Sequence, residues 1–425
     1  MIILLIAVLL LLAALGAPLF ALIAAIALLG FSAAGQSGTA VAIEFYRLAD
    51  MPALIAIPLF TLAGYLLAES QAPRRLVRLT NALFGWLPGG LAIVSICACT
   101  LFTAFTGATG VTLVALGAVL YPALRHAQYP ERFSLGLLTC SGSLGLLLVP
   151  SMPLILYGVV AQQFHTTPPV AIDALFKAGL LPCLLMIVVL SLYSAWMARG
   201  LPRPERTSRR EVWAAVKDAA WELPLPFVVL AGIYSGKLAA SEAAAATALY
   251  VLIVTVLIRR EIRLPELPRV IREAMLLVGA ILIVLGFSLA LTNWLIDADV
   301  PERLFSALQA GVSGKYAFLL LLNAFLLVFG MLLEGFPAII ILVPLVLPVA
   351  LHYEVDPVHL GIMFLANLQL GIFLPPVGMN LFIASMRFGK PVVTLVRAIV
   401  PFFLILLAAV LVITYWPDLS LALVR

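Results

Sequence analysis

The sequence predicts an all-α polytopic membrane protein, built as an inverted-topology repeat with two re-entrant hairpins and two broken transmembrane helices. Three observations carry this. The 425 residues are 64% hydrophobic and 11% charged, with a mean hydropathy of +1.18, which no soluble domain of this size approaches. Apolar runs of bilayer-crossing length recur along the chain. Two of them, 132–161 and 358–387, carry prolines in their middles. Proline removes a backbone donor and clashes with the preceding turn, so each helix breaks there. The bared carbonyls and N–H groups survive in a bilayer only where protein or a polar cavity meets them.

Composition also excludes functions. The net charge of +5 is no nucleic-acid signal, because the basic residues sit in loops, where membrane topology uses them. Cys97, Cys99, Cys140 and Cys183 all lie in apolar runs and read as small core residues. No H-E-x-x-H and no phosphate-binding G-x-x-x-x-G-K-[ST] occurs, and Thr139-Cys140-Ser141-Gly142 lacks the first glycine of a membrane serine protease motif. The chain does not read as an enzyme.

In order, 1–31 is apolar and divided by Gly16 and Pro18, as one long helix or two short ones. A span at 51–70 is followed by the basic, amphipathic stretch Pro73 to Trp86. The apolar 88–124 is interrupted by small and hydroxylated residues at Phe102 to Gly110, and reads as a hairpin with its tip at Thr106-Gly107, or as two spans with a tight turn. The broken helix 132–161 has its break at Val149 to Pro153. A span at 174–198 leads to the charged segment Arg199 to Glu222. Residues 223–258 are interrupted at Gly236-Lys237, and 271–293 spans again. Asp297 to Lys315 is a second amphipathic connector. A second hairpin, 316–351, has its tip at Gly330 to Pro337. The broken helix 358–387, with Pro375-Pro376 and Gly378, and a last span at 393–416 follow.

Placing Lys and Arg on the cytoplasmic side orients these elements. Both ends of 223–258 are basic, so it enters and leaves on one side as two short spans. The first hairpin then opens to the cytoplasm and the second to the outside. A shift of 225 residues lays 51–70 on 271–293, one hairpin on the other, and one broken helix on the other. The halves, 1–222 and 223–425, therefore share one plan in opposite orientations, the architecture of many secondary transporters. Both termini fall on the outer side.

Two hairpin tips facing two breaks define a site near the midplane: Thr103, Thr106, Gly107 and Thr109 against Gly145 to Ser151, and Gly330 to Gly335 against Gly371 to Asn380. Carbonyls and hydroxyls at half-helix ends suit a hard cation such as sodium, and half-helix N-termini suit an anionic substrate. The same glycines and prolines also serve as packing and kink devices. Glu334 either helps bind a cation or proton, or caps its hairpin turn. Asn367, Gln369 and Asn380 flank the second break, where such residues also bridge helices.

Several stretches together resemble the large membrane subunit (M or DctM type) of tripartite ATP-independent periplasmic, or TRAP, transporters: IPLFTLAGYLLAES (Ile57 to Ser70), LPGGLAIV (Leu87 to Val94), LFTAFTGAT (Leu101 to Thr109), LGLLLVPSMPLILYG (Leu144 to Gly158), GIYSG with SEAAA (Gly232 to Ala245) and GIFLPPVGMNLF (Gly371 to Phe382). The likeness covers nearly the whole chain. It implies sodium-coupled import of a small organic acid by an elevator of the ion-transporter-superfamily kind, in a bacterial inner membrane. The transport domain would be 88–161 plus 316–387, and the remainder the scaffold. It implies two separate partners, a small membrane subunit of about four spans and a periplasmic substrate-binding protein. Membrane lipid surrounds the chain, and no nucleic acid is involved.

Carried over by motif, the resemblance implies at least two Na+ sites. One gathers Thr106, Gly107, Gly145, Leu148 and Pro150. The other gathers Gly330, Gly371, Leu374 and Val377. Thr103 and Glu334 join the candidate sodium ligands from the reading of the residues themselves. Thr106, Ser151, Gly335, Pro376 and Asn380 would meet substrate. The sequence departs from the family pattern at Leu374, usually Thr, at Val149, usually Pro, and at Glu334, often Asp. A self-sufficient sodium- or proton-coupled anion carrier of the same architecture is the alternative.

Overall fold

The protein was analysed as a computed structural model, which describes residues 11–12, 17–48, 51–164, 166, 169–201, 208–235, 237–309, 312, 314–375 and 378–424. All regular structure among them is helical. Gly16, Gly236, Pro376 and Val377, which the sequence analysis singled out, lie outside the described residues.

The first half contributes α1 (Leu19–Ala33), α2 (Thr39–Arg47), α3 (Ala56–Glu69) and α4 (Ala72–Phe84). The first hairpin follows as α5 (Gly90–Thr106) and α6 (Thr109–His126). The first broken helix is α7 (Glu131–Ser141), a single 3₁₀ turn at Leu144–Leu147, and α8 (Met152–Ala161). Then come α9 (Ile172–Met197) and α10 (Arg209–Asp218). The second half runs α11 (Pro224–Tyr234), α12 (Ala240–Leu252), α13 (Leu267–Asp297) and α14 (Val300–Gln309). Its hairpin is α15 (Lys315–Leu332) and α16 (Gly335–His352), and its broken helix is α17 (Pro357–Gly371) and α18 (Met379–Phe388). The chain closes with α19 (Val392–Tyr415) and α20 (Asp418–Leu421).

Six of the described helices are long and apolar enough to cross a membrane, or seven with the first broken helix, whose two parts bend by 45°. Both arms of the second hairpin are among the six. The basic stretch after α3 is amphipathic as expected: α4 buries Leu76, Leu79 and Ala82 and turns Arg74 and Arg78 outward. Three of the described helices were not read from the sequence, α2, α10 and the short α20. The second carries a readable signal, a capping box in which Ser208 Oγ accepts from Glu211 N at 3.2 Å and Glu211 Oε2 accepts from Ser208 N at 3.0 Å.

The repeat is visible element by element. Gly90 and Lys315, which open α5 and α15, stand 225 residues apart. Each is preceded by a glycine of positive φ, Gly89 at +76° and Gly314 at +99°, where a Cβ would be strained. Each hairpin is followed by a left-handed residue, Gln128 or Glu354.

Packing crosses between the halves. The second arm of each hairpin, α6 or α16, packs on the C-terminal part of the other half's broken helix, α18 or α8. The N-terminal part of each broken helix, α7 or α17, packs on the long span of the other half, α19 or α9. On the periphery α1 packs on α13 and α12 on α3. One core runs through the contacts between hairpins, broken helices and long spans, with smaller clusters between α3 and α12 and between α1 and α13, so the halves interlock as partners.

The connectors are anchored by different chemistry. On α4, buried Arg75 donates from Nε to Glu222 Oε1 at 2.9 Å, and its guanidinium also pairs with Glu261. Burial alone would raise the Glu261 carboxyl. Hydrogen bonds from Arg75 and from Gln71 N outweigh it and hold that carboxyl below its usual range. On α14 the anchor is aromatic: Phe305 stacks on His352 with centroids 4.5 Å apart and meets Tyr353 edge-on at 5.4 Å.

Candidate functional site

The first hairpin tip is tied to the first break by side chains. Thr103 Oγ1 donates to Gly142 O at 2.7 Å, so the 2.6 Å contact between Thr103 Oγ1 and Thr112 Oγ1 draws its proton from Thr112. Gly145 fits against α5 because it has no side chain: a Cβ there would lie 2.6 Å from Ala104 N and 2.7 Å from Thr103 Cβ. The chain then extends through Leu148 and a cis Val149–Pro150 bond to Ser151. Buried Ser151 Oγ donates to Leu146 O and accepts from Leu154 N at 3.4 Å, so it spans the break and caps α8. Thr106 is buried, yet its hydroxyl comes no nearer than 3.5 Å to Ala108 O and Thr112 Oγ1, the outer limit of a hydrogen bond.

The second half meets the same problem with backbone. A Cβ on Gly371 would lie 2.5 Å from Gly330 Cα and 2.7 Å from Gly330 O, so the hairpin and the broken helix touch main chain to main chain. After α17 the break is closed by Leu374 N donating to Gly371 O at 2.9 Å, Gly378 N to Leu374 O at 2.9 Å, and Asn380 N to Ile372 O at 3.1 Å. Glu334 occupies the N-cap position of α16, but its side chain makes no cap hydrogen bond. The capping alternative is not realised, and Glu334 faces open space.

One direct bond joins the two constellations: Thr109 Oγ1 donates to Asn380 Oδ1 at 2.8 Å, across 271 residues of chain. Asn380 is fully buried, and its amide nitrogen has no hydrogen-bond partner.

A cavity of about 580 Å³ lies where these parts converge. Gly107 to Val111 from the first tip and Glu334 to Phe336 from the second line it. So do Leu146, Pro153, Ile372 and Met379 beside the two breaks. A further wall comes from α3 and α13, with Tyr65, Glu69, Val270 and Glu273. At that wall Arg269 pairs with both Glu69 and, at 3.0 Å, Glu273.

The candidate residues therefore fall into groups. Gly107, Thr109, Glu334 and Gly335 line the cavity. Thr103 and Gly145 fasten hairpin to break, Ser151 bridges the break itself, and Gly330 and Gly371 form the corresponding backbone contact. Thr106, Leu148, Pro150, Leu374 and Asn380 stand beside these without lining the cavity. Asn367 and Gln369 are elsewhere. Asn367 Nδ2 donates to Asn323 Oδ1 at 2.6 Å and Gln369 Nε2 to Met186 Sδ at 3.4 Å, so both bridge helices inside the core. Tyr65, Glu69, Arg269 and Glu273 were not read as site residues. Their signal in the sequence is faint, since charge at the end of a span ordinarily marks the membrane surface.

Residues 3–419 match the family described as the DctM component of the tripartite ATP-independent periplasmic transporter. The chain is 34% identical over 391 residues to the C4-dicarboxylate TRAP transporter large permease protein DctM of Pseudomonas aeruginosa, covering 91% of this chain and 90% of that one. It is 33% identical over 382 residues to the isethionate TRAP transporter permease protein DctMQ of Oleidesulfovibrio alaskensis, covering 89% of this chain and 59% of that protein. Its fold is similar to that in the crystal structure of the YdaH transporter of Alcanivorax borkumensis, which has an unusual topology: the TM-score is 0.64 at 16% identity, covering 91% of this chain and 89% of that one.

Proposed function

Since the chain belongs to the DctM family, the large membrane permease component of TRAP transporters, we propose that it imports a small organic acid in symport with sodium, by an elevator motion. The observation that carries this reading is the meeting of both hairpin tips and both helix breaks around one cavity. In this reading both hairpins are re-entrant, and the breaks place unpaired backbone dipoles where ions and substrate can use them.

The residues present fit sodium. Thr106 offers a buried hydroxyl with only long contacts, and Glu334 a carboxylate free of capping duty. One ion would be held among Thr103, Thr106, Gly107, Gly145, Leu148 and Pro150. The other would be held among Gly330, Glu334, Gly371, Leu374 and Val377. Sodium supplies charge compensation and the coupling gradient. Thr103 acts chiefly by holding Gly142, because its own proton is committed there.

Substrate would meet Gly335 directly. Asn380 would present its unpaired amide through the Thr109 wall, with Thr106, Ser151 and Pro376 shaping the tips and breaks. Residues 88–161 and 316–387 would move as one body against a scaffold of the remainder, including α3, α13 and the anchored connectors. Two separate chains complete the system: a small membrane subunit of about four spans and a periplasmic substrate-binding protein. The setting is a bacterial inner membrane, with both termini periplasmic.

The test is the melting temperature of the chain purified with its small subunit, in sodium against choline at constant ionic strength. A ligand bound only by the folded state stabilises by about 2.7 kcal/mol at a hundredfold excess over its Kd. A sodium-specific rise that shrinks in Gly371→Ala and in Thr106→Val is expected. No rise at any sodium concentration overturns sodium coupling.

A further inference from the structure

We infer that the solute carried through this cavity is a zwitterionic acid, bearing one carboxylate and one cationic group, and not a dicarboxylate. This rests on the cavity being the substrate site, as proposed above, and names the class of substrate it takes.

The charged side chains lining the cavity are Glu69, Glu273 and Glu334; none of its lining residues is Lys, Arg or His. Arg269 stands behind the wall and bridges Glu69 and Glu273, so it compensates one of the three negative charges. Two coupling sodium ions would compensate the other two. The loaded cavity is then neutral before any solute enters. A dicarboxylate would bring two uncompensated negative charges beside Glu69, Glu273 and Glu334, while a zwitterion brings no net charge. Like charges repel, and the repulsion is softened by salt because the Glu69 and Glu273 carboxylates are partly exposed.

The cavity also has the right polarity for a molecule with two different ends. Along the hairpin tips and the second break it presents the first residues of three helices, Thr109 of α6, Gly335 of α16 and Met379 of α18. Helix N-termini favour a carboxylate. Directly behind Thr109 is the Asn380 amide nitrogen, a fully buried donor with no partner. Elsewhere in the lining, α3 and α13 present Glu69, Glu273 and the hydroxyl-bearing Tyr65, which suit an ammonium, amidinium or quaternary nitrogen. A carboxylate anchored on the tips places its cationic end toward this wall.

The experiment compares solutes of matched length: succinate with 4-aminobutyrate, and glutarate with 5-aminopentanoate. Each is added in sodium at millimolar concentration to the chain purified with its small subunit, and the melting temperature is read. The zwitterionic member of a pair should raise it and its dicarboxylate partner should not. Glu273→Gln should raise the half-saturating concentration of the zwitterion by about tenfold. Because Glu273→Gln also loosens Arg269, Tyr65→Phe repeats the measurement at a residue of the same wall that belongs to neither sodium site and has no ion pair to lose. Dicarboxylates acting as well as zwitterions, no response to either zwitterion, or unchanged half-saturation in both variants overturns the inference. The sodium-against-choline difference is read on the same samples. If it persists while a dicarboxylate stabilises, only the substrate class falls. If it is absent, the transport reading beneath it falls as well.

Discussion

The two hairpin-and-break units follow one backbone plan but hold it together with different chemistry. In the first, hydroxyls do the fastening: Thr103 on Gly142 O, Thr112 on Thr103, and Ser151 across its own break. In the second, where Gly330 and Gly371 bring main chain against main chain as Gly145 and α5 also do in the first, backbone hydrogen bonds close the break. The connectors divide the same way, a buried ion cluster under α4 and an aromatic stack under α14. A repeated fold thus constrains where a break must be satisfied, while the satisfying groups are free to diverge.

Four measurements break or sharpen this contrast, all read as unfolding of the purified complex. The largest effect belongs to the connectors. Arg75→Ala leaves Glu222 and Glu261 without their cation and should cost about 3–5 kcal/mol. Phe305→Ala, its counterpart on α14, loses ring contacts worth about 0.5–1.5 kcal/mol beyond the buried area. Comparable losses would end the distinction. The Arg75 cluster also sets a pH dependence. Glu261 is held below the usual carboxylate range, so its contribution is complete above its unfolded pKa and is lost as pH falls through the lower folded value. Arg75→Ala should flatten that acid limb.

The glycines come next. Gly371→Ala and Gly145→Ala each force a Cβ into backbone and should cost about 1–3 kcal/mol or more, as overpacking does. Gly335→Ala should be nearly silent, because its Cβ would meet nothing closer than Ile372 Cδ1 at 3.8 Å. Equal damage at all three positions would show that the close approach of Gly330 and Gly371 is not what matters there.

Ser151→Ala removes the cap of α8 and the bridge over the first break, a loss of about 1–2 kcal/mol. Met379→Ala, at the start of α18, removes no such bond. A smaller loss at Ser151 than at Met379 would mean that backbone closes the first break too.

The smallest effect is at the surface. Lys390 pairs with Glu131 Oε1 at 2.6 Å and Tyr121 donates to the same oxygen at 3.1 Å. Glu131→Gln should change stability only slightly, and raised salt should shrink the difference.

Much of this was legible in the sequence because membrane helices announce themselves by length and hydropathy, and their breaks by proline. The 225-residue offset needed only the order of elements, and Gly90 and Lys315 keep it to the residue. The tips were legible as Gly107 and Gly335 for the same reason. The wall from α3 and α13 was not. Tyr65 and Glu69 end an ordinary span and Arg269 and Glu273 begin one, and nothing local says that α3 and α13 turn those ends toward the tips. That is a tertiary fact, set by which helices pack. The role of Asn367 was hidden likewise: beside a break it reads as a site residue, and only its 2.6 Å bond to Asn323 places it in the core.

The bond between Thr109 and Asn380 has a consequence for how the protein is made. Its two ends are 271 residues apart, and at about 5–20 residues per second a ribosome needs roughly 15–50 s to travel between them. Throughout that interval the first hairpin has been synthesised while α18, which packs on it, has not. Its small-residue, hydroxyl-bearing tip must wait against lipid, against its own half or against an insertion factor. The first half is therefore a long-lived biosynthetic intermediate, and the arrival of the second half both completes the cavity and ends the wait.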